Sequence, residues 1–330
     1  MKAARLQRAG EIAVVDEPRP VPLAGESLVR VSTVGICGSD LHWFREASIG
    51  DARLEQALAL GHEFGGVVEG GPLGGRRVAV DPAAPCGTCE RCREGNENLC
   101  PYVRFAGHGI TDGGLREYIS WPTALLQPVP EGLSDAAVAL LEPLGVALHA
   151  IDLGHLRFGG SVAVVGCGPI GLLMVQIARA AGCASVTAVE PLAHRRTAAS
   201  QCGADLVLSP EQAKGDVGGV DVAFEAAGDD DAVASSMALV RPGGRVVLAG
   251  IPDDDTTRFP SGLARRKGLT IAMVRRMKNA YPRAISLAER KVIALDLLVS
   301  HRFPLGEAAA AFRFAAGREG LKTVVDVTSP

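Results

Sequence analysis

Residues Ser161–Val165 (SVAVV) form a short apolar run, Gly166-Cys167-Gly168-Pro169-Ile170-Gly171 follows at once, and the next stretch reads LLMVQIARAAG. No other segment constrains the fold as tightly. A glycine turn alone carries little weight in a chain with 40 glycines among 330 residues. Between a buried strand and a buried helix it has a mechanical meaning. Gly166 permits the tight turn, Gly168 lets the backbone approach a pyrophosphate, and Gly171 lets helix and strand pack closely. The helix that follows the turn, in which Pro169 and Ile170 are also expected at the cofactor, offers its unpaired N–H groups to phosphate. Glu190 ends the next apolar run, where a carboxylate holds adenosine ribose hydroxyls and repels a 2′-phosphate. NAD is therefore the expected cofactor, with NADP the alternative because Arg195 and Arg196 follow closely.

The surrounding pattern agrees with such a unit. Strands are expected at Ser161–Val165, Ser185–Glu190, Leu206–Leu208, Val220–Glu225 and Arg245–Ala249, with one more from about Leu269. Helices are expected at Ser134–Ile151 (Ser134 as N-cap), Leu172–Ala181, His194–Cys202 and Ala280–Glu289. This alternation predicts an α/β fold with a doubly wound parallel sheet. Before residue 130 the character differs: short β-rich runs such as Ser27–Val34, Gly65–Glu69 and Arg77–Val80 are broken by Gly and Pro, as in a partly open barrel. A closing strand is expected at Lys322–Val327. The length suggests about two domains.

Lys+Arg 34 against Asp+Glu 37 gives a net charge of −3, so there is no electrostatic footprint for nucleic acid or an anionic membrane. The start, MKAARLQRAGEIAVVDEP, lacks the apolar core of a signal peptide, and no run of 18 apolar residues exists. A cytoplasmic location with reduced thiols is the expectation.

Cys86, Cys89, Cys92 and Cys100 crowd into fifteen positions. Four thiolates on one glycine- and charge-rich lobe (86–100) suit a closed, tetrahedral structural zinc site. A redox Cys-x-x-Cys pair and an iron–sulfur cluster are the weaker alternatives. A second set is dispersed: Cys37 in VGICGSDLH, His62-Glu63 in GHEFGG, and Glu142 in LLEPLGVALHA. A mixed S/N/O donor set is what an open catalytic zinc uses, but residue types alone leave this set undecided against a buried thiol and solvated acids.

The motifs GICGSDLH, GHEFGG, the four-cysteine lobe, EPLGVALHA and VAVVGCGPIGLL stand in the order of the zinc-dependent medium-chain dehydrogenase/reductase family, and the resemblance spans essentially the whole chain. Within it the chain looks most like the polyol branch of sorbitol, xylitol and L-idonate dehydrogenases, through NENLCP, FREASIGD and HRFPL. The resemblance implies a GroES-like β-rich catalytic domain (1–144 plus 275–330) around a Rossmann nucleotide domain (145–274). It also implies two zinc ions, one catalytic and one structural. Cys37, His62 and Glu63 look like the catalytic zinc ligands, with Glu142 approaching the zinc or its water. Ser39 and His42 resemble the proton relay, and Trp43, Phe105 and Arg275 take positions beside the substrate. A homodimer or homotetramer is implied, with no membrane or nucleic-acid partner. One departure is the short segment GGPLGGRRVAV, where Arg76 replaces the usual Asp.

The chemistry expected is hydride transfer between a polyol or sugar acid and NAD, with the proton leaving through Ser39 and His42. L-Threonine or a simple secondary alcohol is the alternative substrate, since EPLAHRR resembles the threonine dehydrogenases. A dinucleotide-binding protein without turnover is the alternative of a different class.

Overall fold

Alternating burial makes Glu26–Gly35 a strand: Ser27, Val29 and Val31 are buried while Leu28 and Arg30 are not, and from Val31 onward both faces are covered. That strand is the axis of a seven-stranded sheet in the first of two compact units. The computed structural model describes residues 1–214, 219–254 and 256–328. The first unit comprises Met1–Glu142, Tyr281–Lys291 and Leu295–Pro330, and the second Pro143–Ala280 and Val292–Ala294. Residues 143–144, 275–280 and 292–294, expected with the first domain, group with the second.

The sheet of the first unit runs Leu126–Pro128, Arg77–Val80, Glu63–Glu69, Glu26–Gly35, Lys322–Asp326, Val299–Pro304, with Tyr118–Pro122 also on Glu26–Gly35. Its pairings are antiparallel except the last, where Val299–Pro304 runs parallel to Lys322–Asp326. The register puts Gly35 opposite Glu63 on one side and Val324 on the other. Under the sheet lies a core that includes Trp43, Phe64, Trp121 and Phe312, all essentially without solvent contact. The helix Gly38–Glu46, unanticipated because its apolar positions are interrupted by charges, opens directly behind Cys37.

The second unit holds a six-stranded, wholly parallel sheet. Its order is Leu206–Leu208, Ser185–Val189, Ser161–Val165, Val220–Glu225, Val240–Leu248, Thr270–Met273. The chain moves outward from the first strand, returns, and moves outward on the other side, which is the doubly wound order. Strands Ser161–Val165, Leu206–Leu208 and Val220–Glu225 have the expected bounds, whereas the second ends at Val189 and the fifth runs Val240–Leu248. The expected helix Ser134–Ile151 is instead two, Asp135–Ala139 and Leu141–Gly154, the first capped by Ser134 Oγ accepting from Ala137 N at 3.0 Å. The glycine-turn helix begins three residues earlier than expected, Pro169–Ala180, with proline at a first-turn position where a missing N–H costs nothing. Helix Asp230–Leu239 was not foreseen from sequence. Asp229 caps it by accepting from Ala232 N at 2.7 Å.

Candidate active site

Cys37 stands at the N-cap of helix Gly38–Glu46, and its backbone N–H donates to Asp40 Oδ2 at 2.9 Å. The buried Asp40 carboxylate also accepts from Gly61 N at 3.2 Å and lies 3.3 Å from His62 Nδ1. One acid thus ties the turn at Cys37 to the strand entry at His62. It also holds the imidazole so that Nε2 is left for another partner, the arrangement that orients a metal-ligating histidine. Burial alone would keep this ring neutral, yet the Asp40 carboxylate and the Cys37 sulfur outweigh it and raise the His62 pKa well above its ordinary value.

Glu63 is 1 % exposed and faces Lys322, itself 2 % exposed. Lys322 Nζ donates to both carboxylate oxygens, at 2.8 and 2.6 Å, and to Ile36 O at 3.0 Å. Burial favours the neutral amine, but the neighbouring carboxylate prevails and the Lys322 pKa is raised. Space for this pair comes from Gly35, where a Cβ would stand 2.2 Å from Glu63 Oε2. Cys37, His62 and Glu63 each offer one ligand atom, and these atoms all lie within 4.8 Å of one another. A half-buried sulfur and a buried nitrogen and oxygen so gathered can hold one zinc ion and leave a position open, so the donor set fits the metal.

Glu142 is buried at the end of the first unit but is not one of that trio. Burial pushes its carboxyl up to about 8, with Glu63 adding to the rise and His62 and Lys322 opposing it. Ser39 and His42 are one turn apart on helix Gly38–Glu46, Ser39 half-buried and His42 buried. Phe105 packs on the His62 ring at 5.3 Å between centroids. Trp43 is wholly buried and meets His108 edge-on at 5.5 Å, and Phe105 lies edge-on to the same histidine at 6.4 Å. Arg275 is an exposed residue of the second unit, just beyond Thr270–Met273.

Sequence reasoning missed Asp40, Lys322 and His108. Asp40 left a faint signal, an acid three residues into a helix in the capping-box position. Lys322 is 259 residues from Glu63 and left none.

The four-cysteine lobe is assembled as well. Cys89 Sγ lies 3.4 Å from Cys92 Sγ and 3.9 Å from Cys100 Sγ, and Cys86 Sγ lies 4.0 Å from Cys92 Sγ. None is in a disulfide. Zn–S bonds of about 2.3 Å set tetrahedral sulfur–sulfur edges of about 3.8 Å, so these four thiols fit one ion. Backbone N–H groups of Thr88 and Cys89 lower the Cys86 thiol to about 6, while burial pushes Cys92 up to about 12.

In the second unit, Gly166 has φ +92° and a Cβ there would meet Ala227 N at 2.7 Å, while a Cβ on Gly171 would fall 1.9 Å from Gly166 O. Gly168 differs: its Cβ would meet only Arg195 Nη1, at 3.7 Å. The turn is thus closed on the protein side and open at Gly168, where the helix begins without a side-chain cap. That open cradle fits a pyrophosphate. Glu190 is more enclosed than expected: its carboxylate accepts from Cys167 N at 2.7 Å and Leu192 N at 3.0 Å. Arg196 donates to the carbonyls of Glu190 and Pro191, at 2.9 and 2.6 Å, and Arg195 is the arginine whose Nη1 lies beside Gly168.

Comparison with known proteins agrees with this geometry. Residues 23–131 match the alcohol dehydrogenase GroES-like domain, and residues 169–290 match the zinc-binding dehydrogenase domain. Sorbitol dehydrogenase of Macaca fascicularis is 35 % identical over 96 % of this chain and 93 % of its own. The structure of L-idonate 5-dehydrogenase from Escherichia coli superposes with a TM-score of 0.92 at 28 % identity, covering 99 % of this chain and 98 % of that one. A zinc-binding dehydrogenase from Sinorhizobium meliloti bound to NADP gives 0.90 at 32 % identity, and an E. coli alcohol dehydrogenase complexed with NADH gives 0.90 at 27 %, each covering 99 % of both chains. The chain belongs to the zinc-dependent medium-chain dehydrogenase/reductase family, as a polyol-type member.

Proposed function

We propose that this chain oxidises a secondary hydroxyl of a polyol or sugar acid with NAD, using zinc at Cys37, His62 and Glu63 and a second, structural zinc at Cys86, Cys89, Cys92 and Cys100. The observation that carries the reading is the S/N/O trio within 4.8 Å, its histidine and carboxylate buried and oriented by Asp40 and Lys322. When bound, zinc supplies Lewis acidity toward the substrate hydroxyl and the nicotinamide accepts the hydride. The protein's own groups do the rest. Ser39 Oγ, which no described side chain or backbone group engages, takes up the hydroxyl proton as it releases its own toward His42, which passes it to water. Glu142, its carboxyl raised to about 8, holds a proton near neutral pH beside the trio. Phe105, packed on His62, shields the site from water. Trp43 and Arg275 belong to the same reading as substrate contacts.

The substrate class draws on the sorbitol and L-idonate dehydrogenases that the chain resembles. Glu190 beside the glycine turn supports NAD. NADP is the second reading, favoured by Arg195 at Gly168 and by the NADP complex of the S. meliloti relative. A homodimer or homotetramer fits the sheet edge at Thr270–Met273, which among the described residues pairs only with Val240–Leu248. A cytoplasmic setting agrees with eight unpaired cysteines, and no helix among the described residues is long and apolar enough to cross a membrane.

The deciding experiment is a panel of polyols, aldonates, L-threonine and short secondary alcohols, each with NAD and with NADP. The highest kcat/KM is expected for a polyol or aldonate with NAD. Preference for threonine would overturn the substrate class. Full turnover by protein stripped of metal would overturn the site.

A further inference from the structure

The second unit contains a cavity of about 370 Å³ at the end of its sheet remote from the glycine turn. It is lined by Ser161, Asp221 and Thr270, at or near the amino ends of their strands, and by Arg245, which pairs with Thr270, whereas Gly166 follows the carboxyl end of Ser161–Val165. Five strand residues, roughly 15 Å, separate the two. Its size falls within the small-ligand range of about 300–1,000 Å³.

Its charge is lopsided: Arg157, Arg241 and Arg245 line it against one acid, Asp221. That acid is occupied. Asp221 Oδ2 accepts from Ser161 N at 2.9 Å and Ser161 Oγ at 3.0 Å, and Oδ1 accepts from Arg241 Nε at 2.8 Å. Arg157 and Arg245 make no ion pair and donate no side-chain hydrogen bond among the described residues, although Arg245 is half-buried. Arg157 follows helix Leu141–Gly154 closely, yet no helix carbonyl accepts from it. Next to it, Phe158 is 92 % exposed. Its ring edge lies on the bare backbone of Gly182, where a Cβ would come within 2.5 Å of Phe158 Cδ2.

Two guanidiniums without an acceptor among the described residues and an exposed aromatic ring around one cavity match a phosphate joined to a flat ring. Guanidinium forks bind phosphate oxygens in pairs, and a base stacks on an aromatic face. The geometry points to a second nucleotide site, separate from the glycine turn, that takes a nucleoside diphosphate with its phosphates at Arg157 and Arg245 and its base on Phe158.

The test is titration of the zinc-loaded protein with ADP, and separately with inorganic pyrophosphate, by calorimetry in excess NAD. Photolabelling with 8-azido-ADP under the same conditions locates the bound base. One ADP per chain is expected, with label on residues 154–161 or 241–245. The Arg157→Gln/Arg245→Gln variant should weaken ADP and pyrophosphate at least 10-fold. Phe158→Ala should weaken ADP about 5- to 100-fold and leave pyrophosphate unchanged, as loss of one stacked base predicts. Dehydrogenase turnover and thermal midpoint should be unaltered in both variants. Absence of ADP binding, label confined to residues 166–195, or affinity indifferent to the arginine substitutions would overturn the site. ADP affinity indifferent to Phe158→Ala would overturn the nucleoside assignment.

Discussion

Lys322 Nζ stands 2.6 Å from Glu63 Oε2, and neither side chain reaches solvent. A buried pair is weak evidence of net stability, but breaking it from one side leaves an uncompensated charge. Lys322→Met should therefore cost about 3–5 kcal/mol of unfolding free energy. Chemical denaturation of the metal-free protein measures it. The double substitution Lys322→Met/Glu63→Gln should recover part of the loss, and no recovery would show that the lysine matters for some reason other than its partner.

Gly35 provides the room in which that carboxylate lies, and its replacement tests positioning rather than charge. Gly35→Ala puts a Cβ 2.2 Å from Glu63 Oε2 and forces the carboxylate away from Cys37 and His62. Metal affinity at the trio should fall about 10- to 100-fold, the usual effect of disturbing ligand support. Competition with a chromophoric chelator reads this directly, and kcat/KM should fall with it. An unchanged zinc affinity would mean that Glu63 is not a ligand.

Asp40→Asn should act on the other ligand. It keeps the shape but removes the charge that holds His62 Nδ1, and metal affinity should drop about 10- to 100-fold with kcat/KM following. The lobe zinc should stay bound, so metal content after mild chelation should settle near one ion per chain.

The Glu142 carboxyl, raised by burial from 4.5 to about 8, makes the metal-free protein sensitive to pH. A carboxyl with a folded pKa above its unfolded one binds more protons when folded, so stability declines as pH rises through 4.5 to about 8. Glu142→Gln should flatten that decline, a difference on the order of a few kcal/mol between pH 5 and pH 8. Unfolding midpoints of both metal-free proteins across this window provide the measurement. A parallel decline in both would assign the pH dependence elsewhere.

Glu190→Ala should leave Cys167 N and Leu192 N without their acceptor and remove the negative charge beside the turn. NAD binding should weaken, and the ratio of kcat/KM for NADP over NAD should rise at least 10-fold, with Arg195 now the dominant charge there. A ratio that does not move would show that Glu190 serves only the turn.

Local patterns carried most of the reading from sequence. The glycine turn announces itself because strand, turn and helix are contiguous, and the cysteine lobe because its four ligands fall within one short segment. Alternation of strand and helix was legible in the second unit except at Asp230–Leu239, where the small and polar residues of VASSMAL give no apolar stripe, and at Ser261–Lys267, where SGLARRK is too short and charged to show one. The trio of Cys37, His62 and Glu63 was legible only through resemblance, since Cys37 and His62 come together through sheet register and Asp40. Lys322 was out of reach because nothing local marks a lysine that crosses the fold to neutralise a buried acid.

The sheet that seats Glu63 between residues from both ends of the chain also sets a timetable for biosynthesis. Glu63 and Lys322 are separated by 259 residues, which at about 5–20 residues per second is roughly 13–52 s of translation. During that interval the strand Glu26–Gly35 lacks its Lys322–Asp326 neighbour and the carboxylate lacks its counter-charge. The intervening second unit, by contrast, has nearly all its residues once Ala280 has emerged. A nascent chain would therefore acquire a folded nucleotide fold before a finished metal site, so premature termination just short of Lys322 should yield a product that still binds coenzyme and cannot turn over.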